Sequence, residues 1–153
     1  MKLLRSFILV TLFFTLIFIS SCVYFRGASE CDSIQEQESK DTCNKNLGVQ
    51  TQNIVICDKI KSENIKYECY SHVAEVMQDI NICDKIQNQE IKDECYAEVG
   101  EETQDQSICG KILSSEDKDH CYLGVGIDKQ SIEICNKIQS QLIKDECYKV
   151  VKA

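Results

Sequence analysis

The sequence predicts an all-α fold: a short α-solenoid of five disulfide-stapled helical hairpins behind an N-terminal hydrophobic signal or anchor helix. Three observations carry that expectation. Ten cysteines, at 31, 43, 57, 69, 83, 95, 109, 121, 135 and 147, are separated alternately by 12 and 14 residues, a strict 26-residue period. Apolar residues around them recur at spacings of three and four, which places them on one face of a helix. Each such segment follows a residue suited to capping a helix.

The first element in chain order precedes the array. Met1-Lys2-Leu3-Leu4-Arg5 is a short positive start, followed by 13 uncharged residues from Phe7 to Ile19 and closed by Ser20-Ser21-Cys22. A positive stretch, an apolar stretch of this length and small residues make a secretory signal. Ile19-Ser20-Ser21-Cys22 resembles the lipobox of prokaryotic lipoproteins. The resemblance implies cleavage after Ser21 and a lipid on Cys22, which becomes the new N-terminus. Val23-Tyr24-Phe25 depart from that family, whose members continue with small polar residues. With them, Ser6 to Phe25 is a nearly unbroken apolar run of 20 residues. At a rise of about 1.5 Å per residue it is long enough for a bilayer core of roughly 30 Å. Two anchors are therefore open, a lipid on Cys22 or an uncleaved signal helix, with full secretion as a third outcome. Either anchor leaves the remainder on the extracytoplasmic face, because the positive residues precede the run. The expected organisation is a signal or anchor over 1–21, a lipidation site and linker over 22–30, and the repeat domain over 31–153.

The repeat domain divides into units 1 to 5, holding Cys31 and Cys43, Cys57 and Cys69, Cys83 and Cys95, Cys109 and Cys121, and Cys135 and Cys147. In unit 2, Ile54, Ile56 and Ile60 surround the first cysteine at helical spacing, and Ile65 and Val73 flank the second. Asn53, Asp79, Asp105 and Ser131 stand four before a first cysteine; Ser62, Asn88, Ser114 and Ser140 stand seven before a second. All are good N-caps. Glu63, Glu90 and Glu116 then fall in a first helical turn, where the macrodipole favours acids. Helices are expected over 54–61 and 63–77, and at the same register in the other units. Helices this short are marginal alone, so they need neighbours or covalent staples. Gly48, Ala74, Gly100 and Gly126 recur five after the second cysteine, where a small residue either ends the second helix or admits a close neighbour. Unit 1 is the least regular, with Gly27 at the cap position and Asn44 where the others have tyrosine, as capping repeats are.

Hairpin geometry selects the cysteine pairing. In a hairpin turning near Ser62, Cys57 and Cys69 lie at depths differing by only a few ångströms, whereas Cys69 and Cys83 differ by roughly 8 Å. A disulfide needs Cα atoms within about 7 Å. The expected bridges are Cys31–Cys43, Cys57–Cys69, Cys83–Cys95, Cys109–Cys121 and Cys135–Cys147. Each closes a short loop and contributes about 3 kcal/mol in the chain-entropy model. Zinc sites want closely spaced cysteines or paired histidines. Here the shortest gap in the array is 12 residues, and His72 and His120 are the only histidines. No CxxC redox pair is present. An exported chain meets an oxidising compartment, where pairing is the default.

The chain carries a net charge of −8; beyond Lys2 and Arg5, fifteen basic residues face all twenty-five acids. That balance opposes nucleic-acid binding, which needs a basic surface. No HExxH, GxSxG, Walker loop or GxGxxG occurs, so the expectation is no enzyme, no cofactor and no metal. The acid pairs Asp93-Glu94 and Asp145-Glu146 recur with the repeat and read as a solvated helix face. Tyr70, Tyr96, Tyr122 and Tyr148 each follow a second cysteine, with Lys66, Lys92, Lys118 and Lys144 four residues earlier. Stacking would line these pairs into a ladder, either an exposed binding surface or packing in which each lysine stem covers a tyrosine.

The array resembles tetratricopeptide and Sel1-like repeats only in consisting of helix pairs; its period is shorter and their signature residues are missing. It is also similar to cysteine-rich helical-repeat lipoproteins of prokaryotes, which have no assigned activity. The expectation is a membrane-anchored extracytoplasmic scaffold in the cell envelope that binds a protein or peptide. A purely structural envelope spacer is the alternative, and a redox or metal-binding protein the second alternative.

Overall fold

The computed structural model describes residues 31–152, so the signal, Cys22 and the linker lie outside the described residues. Five long helices, α1 (Gln37–Thr51), α3 (Glu63–Met77), α5 (Gln89–Glu102), α7 (Ser115–Asp128) and α9 (Gln141–Val151), alternate with one-turn helices. The short ones are α2 (Ile54–Cys57), α4 (Ile80–Cys83), α6 (Gln106–Cys109) and α8 (Ile132–Cys135). Each long helix packs on the next, and each short helix lies against the long helices before and after it. The array is therefore one layer of long helices, with short helices seated along one side. The all-helical solenoid of disulfide-stapled units is the fold the 26-residue period predicts.

Every short helix starts on a side-chain cap. Asn53, Asp79, Asp105 and Ser131 accept from the N–H of Val55, Asn81, Ser107 and Ile134. Asn88 and Ser114 cap their long helices through Ile91 and Asp117, whereas Ser62 and Ser140 make no side-chain cap bond. The short helices end earlier than the periodicity suggests, at Cys57 rather than near 61. The next residues fold into tight turns: the Ile60 N–H reaches the Cys57 carbonyl at 3.1 Å, and its counterparts in units 3 to 5 do the same. This early exit drops Ile60, Ile86, Ile112 and Ile138 into the core, each at most 1% exposed. Burying each contributes roughly 1.5–3 kcal/mol.

The long helices of units 1 to 4 end on a left-handed residue that the sequence does not advertise. Gln52, Gln78, Gln104 and Gln130 have φ of 52°, 54°, 55° and 51°. The following N–H groups, of Asn53, Asp79, Asp105 and Ser131, return to the carbonyls of Gly48, Ala74, Gly100 and Gly126 at 2.9–3.0 Å. That is a Schellman ending, and it leads straight into the cap of the next short helix. The small residue at Gly48, Gly100 and Gly126 serves close packing instead: a Cβ added there lies 3.1 Å from Sγ of Cys69, Cys121 and Cys147 in the next unit.

The five disulfides join Cys31–Cys43, Cys57–Cys69, Cys83–Cys95, Cys109–Cys121 and Cys135–Cys147, with Cα separations of 5.6 or 5.7 Å. Each thus lies within its own unit, where the depth argument puts it. Except for Cys31 (1%) and the half-buried Cys43, the paired cysteines show no exposure at all. Five buried disulfides fit an oxidising, extracytoplasmic compartment.

Candidate functional site

The tyrosine ladder is part of the core. Tyr70 and Tyr96 are 7% exposed and Tyr122 9%; only Tyr148 is half-buried. Each ring turns towards the short helix of its own unit, because it sits one residue past the buried second cysteine. The Tyr70 hydroxyl donates to Asp58 at 2.6 Å, Tyr96 donates to Asp84 and Tyr148 to Asn136. Gly110 stands at the acceptor position opposite Tyr122. Burial, the hydrogen bond to Asp84 and that carboxylate's charge push the Tyr96 hydroxyl up to about 12. The same causes raise Tyr70, with burial again first.

Among the described residues, the ammonium groups over these rings come from lysines other than the four at the repeated position. Lys66, Lys92, Lys118 and Lys144 are half-buried, and among the described residues no ion pair holds them. Lys111 and Lys137, from the turn after the next unit's short helix, place their ammonium groups 5.8 Å from the centroids of Tyr96 and Tyr122. Lys152 lies 4.7 Å over Tyr148. The first two of these cation–π contacts tie unit to unit, and the third stays within unit 5. An exposed Tyr–Lys binding surface is therefore not what the chain presents.

The repeated acids divide into two populations. One is the joint between units. Asp93, 2% exposed, accepts from the N–H of Leu113 at 3.1 Å and of Ser114 at 2.8 Å, twenty residues ahead. Asp41 accepts from Lys61 and Ser62 at 3.0 and 2.8 Å, and Asp119 from Gln139 and Ser140 at 2.8 and 2.7 Å. The side-chain amides of Gln37 and Gln89 orient Asp41 and Asp93 from one helical turn earlier. Burial pushes the Asp41 carboxyl up, but the two N–H bonds, the Gln37 amide and the Lys61 charge outweigh it and hold it below the usual 3.8. Asp93 is thus a buried clamp and not part of a solvated face, as its pairing with Glu94 suggests. Unit 2 has Tyr67 at this position, so no carboxylate closes the joint between units 2 and 3. That joint instead carries a bond from the Ser71 hydroxyl to Glu98 at 2.8 Å.

The second population is exposed. At about 100° per residue, the residues one before and three after the second cysteine lie opposite the buried tyrosine and valine. Glu68, Glu94, His120 and Glu146 hold the first of these positions, and His72 and Glu98 the second. With Glu90 and Glu116 they form an acidic stripe on the side of the layer away from the short helices. Lys45 meets Glu68 there at 2.7 Å. Glu94 is raised by partial burial and then by the charges of Glu98, Glu90 and Asp117. Glu101, folded over Gly124, is raised by burial and by Asp128 and Glu98 against the opposing His120. A groove of about 600 Å³ opens between α7 and α9, lined in part by Glu116, His120, Leu142 and Glu146.

Among the described residues, no group of three or more His, Cys, Asp or Glu side chains is placed to hold a metal ion, and no helix is long and apolar enough to cross a membrane. No protein-family model, curated protein or solved structure matches the chain.

Proposed function

We propose that this chain is a membrane-anchored extracytoplasmic repeat protein that binds a protein or peptide as a non-catalytic scaffold. One observation carries the reading. The long helices form a continuous layer, and no described element packs on the side away from the short helices, where Glu68, Glu90, Glu94, Glu98 and Glu116 stand exposed. Solenoids use extended surfaces of this kind for proteins and peptides, and a row of carboxylates favours a basic partner. With the tyrosines buried, the contact surface moves from the ladder to this acidic side. The anchor rests on the signal pattern from Met1 to Phe25, and the five disulfides support export.

The test is capture of partners from the native envelope on the full-length chain, compared with the triple variant Glu90→Gln, Glu94→Gln, Glu98→Gln. The scaffold reading expects partners that are lost in the variant and released by raised salt. Partners retained equally by both proteins reject the acidic side as the site. No partner at all favours the structural spacer, a role that the stapled units and clamped joints also support.

A further inference from the structure

Within the array, consecutive units meet through three recurring devices, and one half of each stands open at either end of the described residues. The first is the carboxylate clamp. Gln141 and Asp145 in unit 5 repeat the Gln37/Asp41 and Gln89/Asp93 arrangement, with the amide 2.8 Å from the carboxylate. Asp145 is nevertheless exposed, and no backbone N–H among the described residues reaches it. Its complement stands in unit 1: Gln35 and Glu36 occupy the places of Lys61 and Ser62, and nothing among the described residues accepts from their N–H groups.

The second device is the lysine over the tyrosine ring. Units 4 and 5 bring Lys111 and Lys137 to the ring of the preceding unit. Unit 1 has Ser33 at that position, and Tyr148 already holds Lys152 from its own helix end. An incoming unit 1 therefore meets a ring whose cation is in place. Lys152 stands where other units have glycine or alanine; Ala74 shows that the joint takes a Cβ there, and the rest of the lysine is turned over Tyr148.

The third is the seat for a preceding long helix. A groove of about 450 Å³ beside α1 is lined in part by Thr42, Cys43, Asn46 and Leu47. Two of their counterparts in unit 2 meet α1: Glu68 pairs with Lys45, and Cys69 lies against Lys45 and Gly48. Val73, Val99 and Val125 are fully buried, whereas Leu47 is only half-buried, with no helix among the described residues in its seat.

We propose that copies of this chain associate head to tail, unit 5 of one copy stacking on unit 1 of the next in the register of an internal joint, with the Asp145 carboxylate accepting from the Gln35 and Glu36 N–H groups. Because the two surfaces differ, each added copy leaves one of each free, and the association propagates linearly.

The register names its own test. Inside the array Lys45 pairs with Glu68 across a joint at 2.7 Å; between copies the matching positions are Lys149 and Thr42, both exposed. Sedimentation of the purified full-length chain in mild detergent, over a concentration series, measures association. Asp145→Ala is expected to weaken it about tenfold, the loss of one charge-assisted clamp. Thr42→Glu is expected to tighten it, Thr42→Lys to weaken it, and Lys149→Glu to restore it in the Thr42→Lys background. Helix content and disulfide number check that each variant is folded. Wild type and Thr42→Glu both monomeric at the highest attainable concentration would overturn the proposal. So would association that ignores Asp145→Ala and the charge swap, since that interface lies elsewhere.

Discussion

Replacing Asp93 by alanine removes the acceptor for two backbone N–H groups in the following unit. Hydrogen bonds to a charged group contribute about 1.5–3 kcal/mol each, so the Leu113 and Ser114 bonds set a ceiling near 6 kcal/mol. Part of that offsets the cost of desolvating a carboxylate that is 2% exposed. The alanine also leaves two backbone donors and the Gln89 amide without their acceptor. A loss of about 3 kcal/mol is expected. Asp145→Ala is the internal control: it sits at the same helical position with the equivalent glutamine partner but clamps no backbone N–H among the described residues, and it is expected to cost under about 0.5 kcal/mol. Urea unfolding of the oxidised chain, followed by helix signal, measures both, with the difference taken from the midpoint at constant slope. Because a solenoid couples only neighbours, amide exchange in the Asp93→Ala variant should accelerate first around Leu113 and Ser114. Equal losses for the two variants, or a loss below about 0.5 kcal/mol for Asp93→Ala, would refute the clamp as the source of joint stability.

Amide exchange of the unaltered chain should show Gln87 and Asn88, whose joint has Tyr67 at the place of the clamping carboxylate, exchanging faster than Lys61, Ser62, Leu113 and Ser114; uniform protection across the four joints would count against the clamp. The acid dependence of stability should have two branches. Glu94 and Glu101 have folded pKa values above 4.5, so they bind protons more readily in the folded state, and stability rises as pH falls from neutrality towards 4.5. Asp41 is depressed below 3.8, so its stabilisation is complete above that value and is lost as pH falls through its folded pKa. Thermal melts across this range check both branches, with Asp41→Asn reducing the acid-side decline, to which the lowered Asp105 and Glu36 carboxyls also contribute, and leaving the other branch in place. At the close approach, Gly100→Ala should be neutral or stabilising, since Ala74 occupies the same place, whereas Gly100→Leu should cost about 1–3 kcal/mol by driving side-chain atoms into Cys121 Sγ; melting temperatures of the two variants decide it.

Much of the fold is legible because the repeat speaks five times. The bounds of α3 follow from one cap residue and the spacing of Ile65, Cys69 and Val73, and hairpin depth alone selects Cys57–Cys69 over Cys69–Cys83. What stays hidden is whatever acts between units. Asp93 and Glu94 look alike in sequence, yet one residue of rotation sends the first into the joint and the second into water. A partial signal is the glutamine one turn earlier, at 37 and 89, paired with aspartate at 41 and 93; Asp119 clamps with Ser115 in that place, and Asp145 has the glutamine without a clamp. Tyr67 interrupts that series in unit 2 and masks it. The left-handed glutamines are hidden for another reason: glycine is the expected residue there, and the recurring glycines sit one helical turn earlier for packing. The tyrosines are the reverse case, a repeated interface-type residue whose hydroxyl, in Tyr70, Tyr96 and Tyr148, finds its partner inside its own hairpin.

The most direct test of a five-unit stapled array is disulfide mapping of the unreduced native chain by proteolysis and mass spectrometry. The structure predicts five linkages, each joining cysteines 12 residues apart, from Cys31–Cys43 to Cys135–Cys147, with Cys22 in none of them. Any linkage across a 14-residue gap, such as Cys43–Cys57, or free thiols among these ten cysteines, would contradict it.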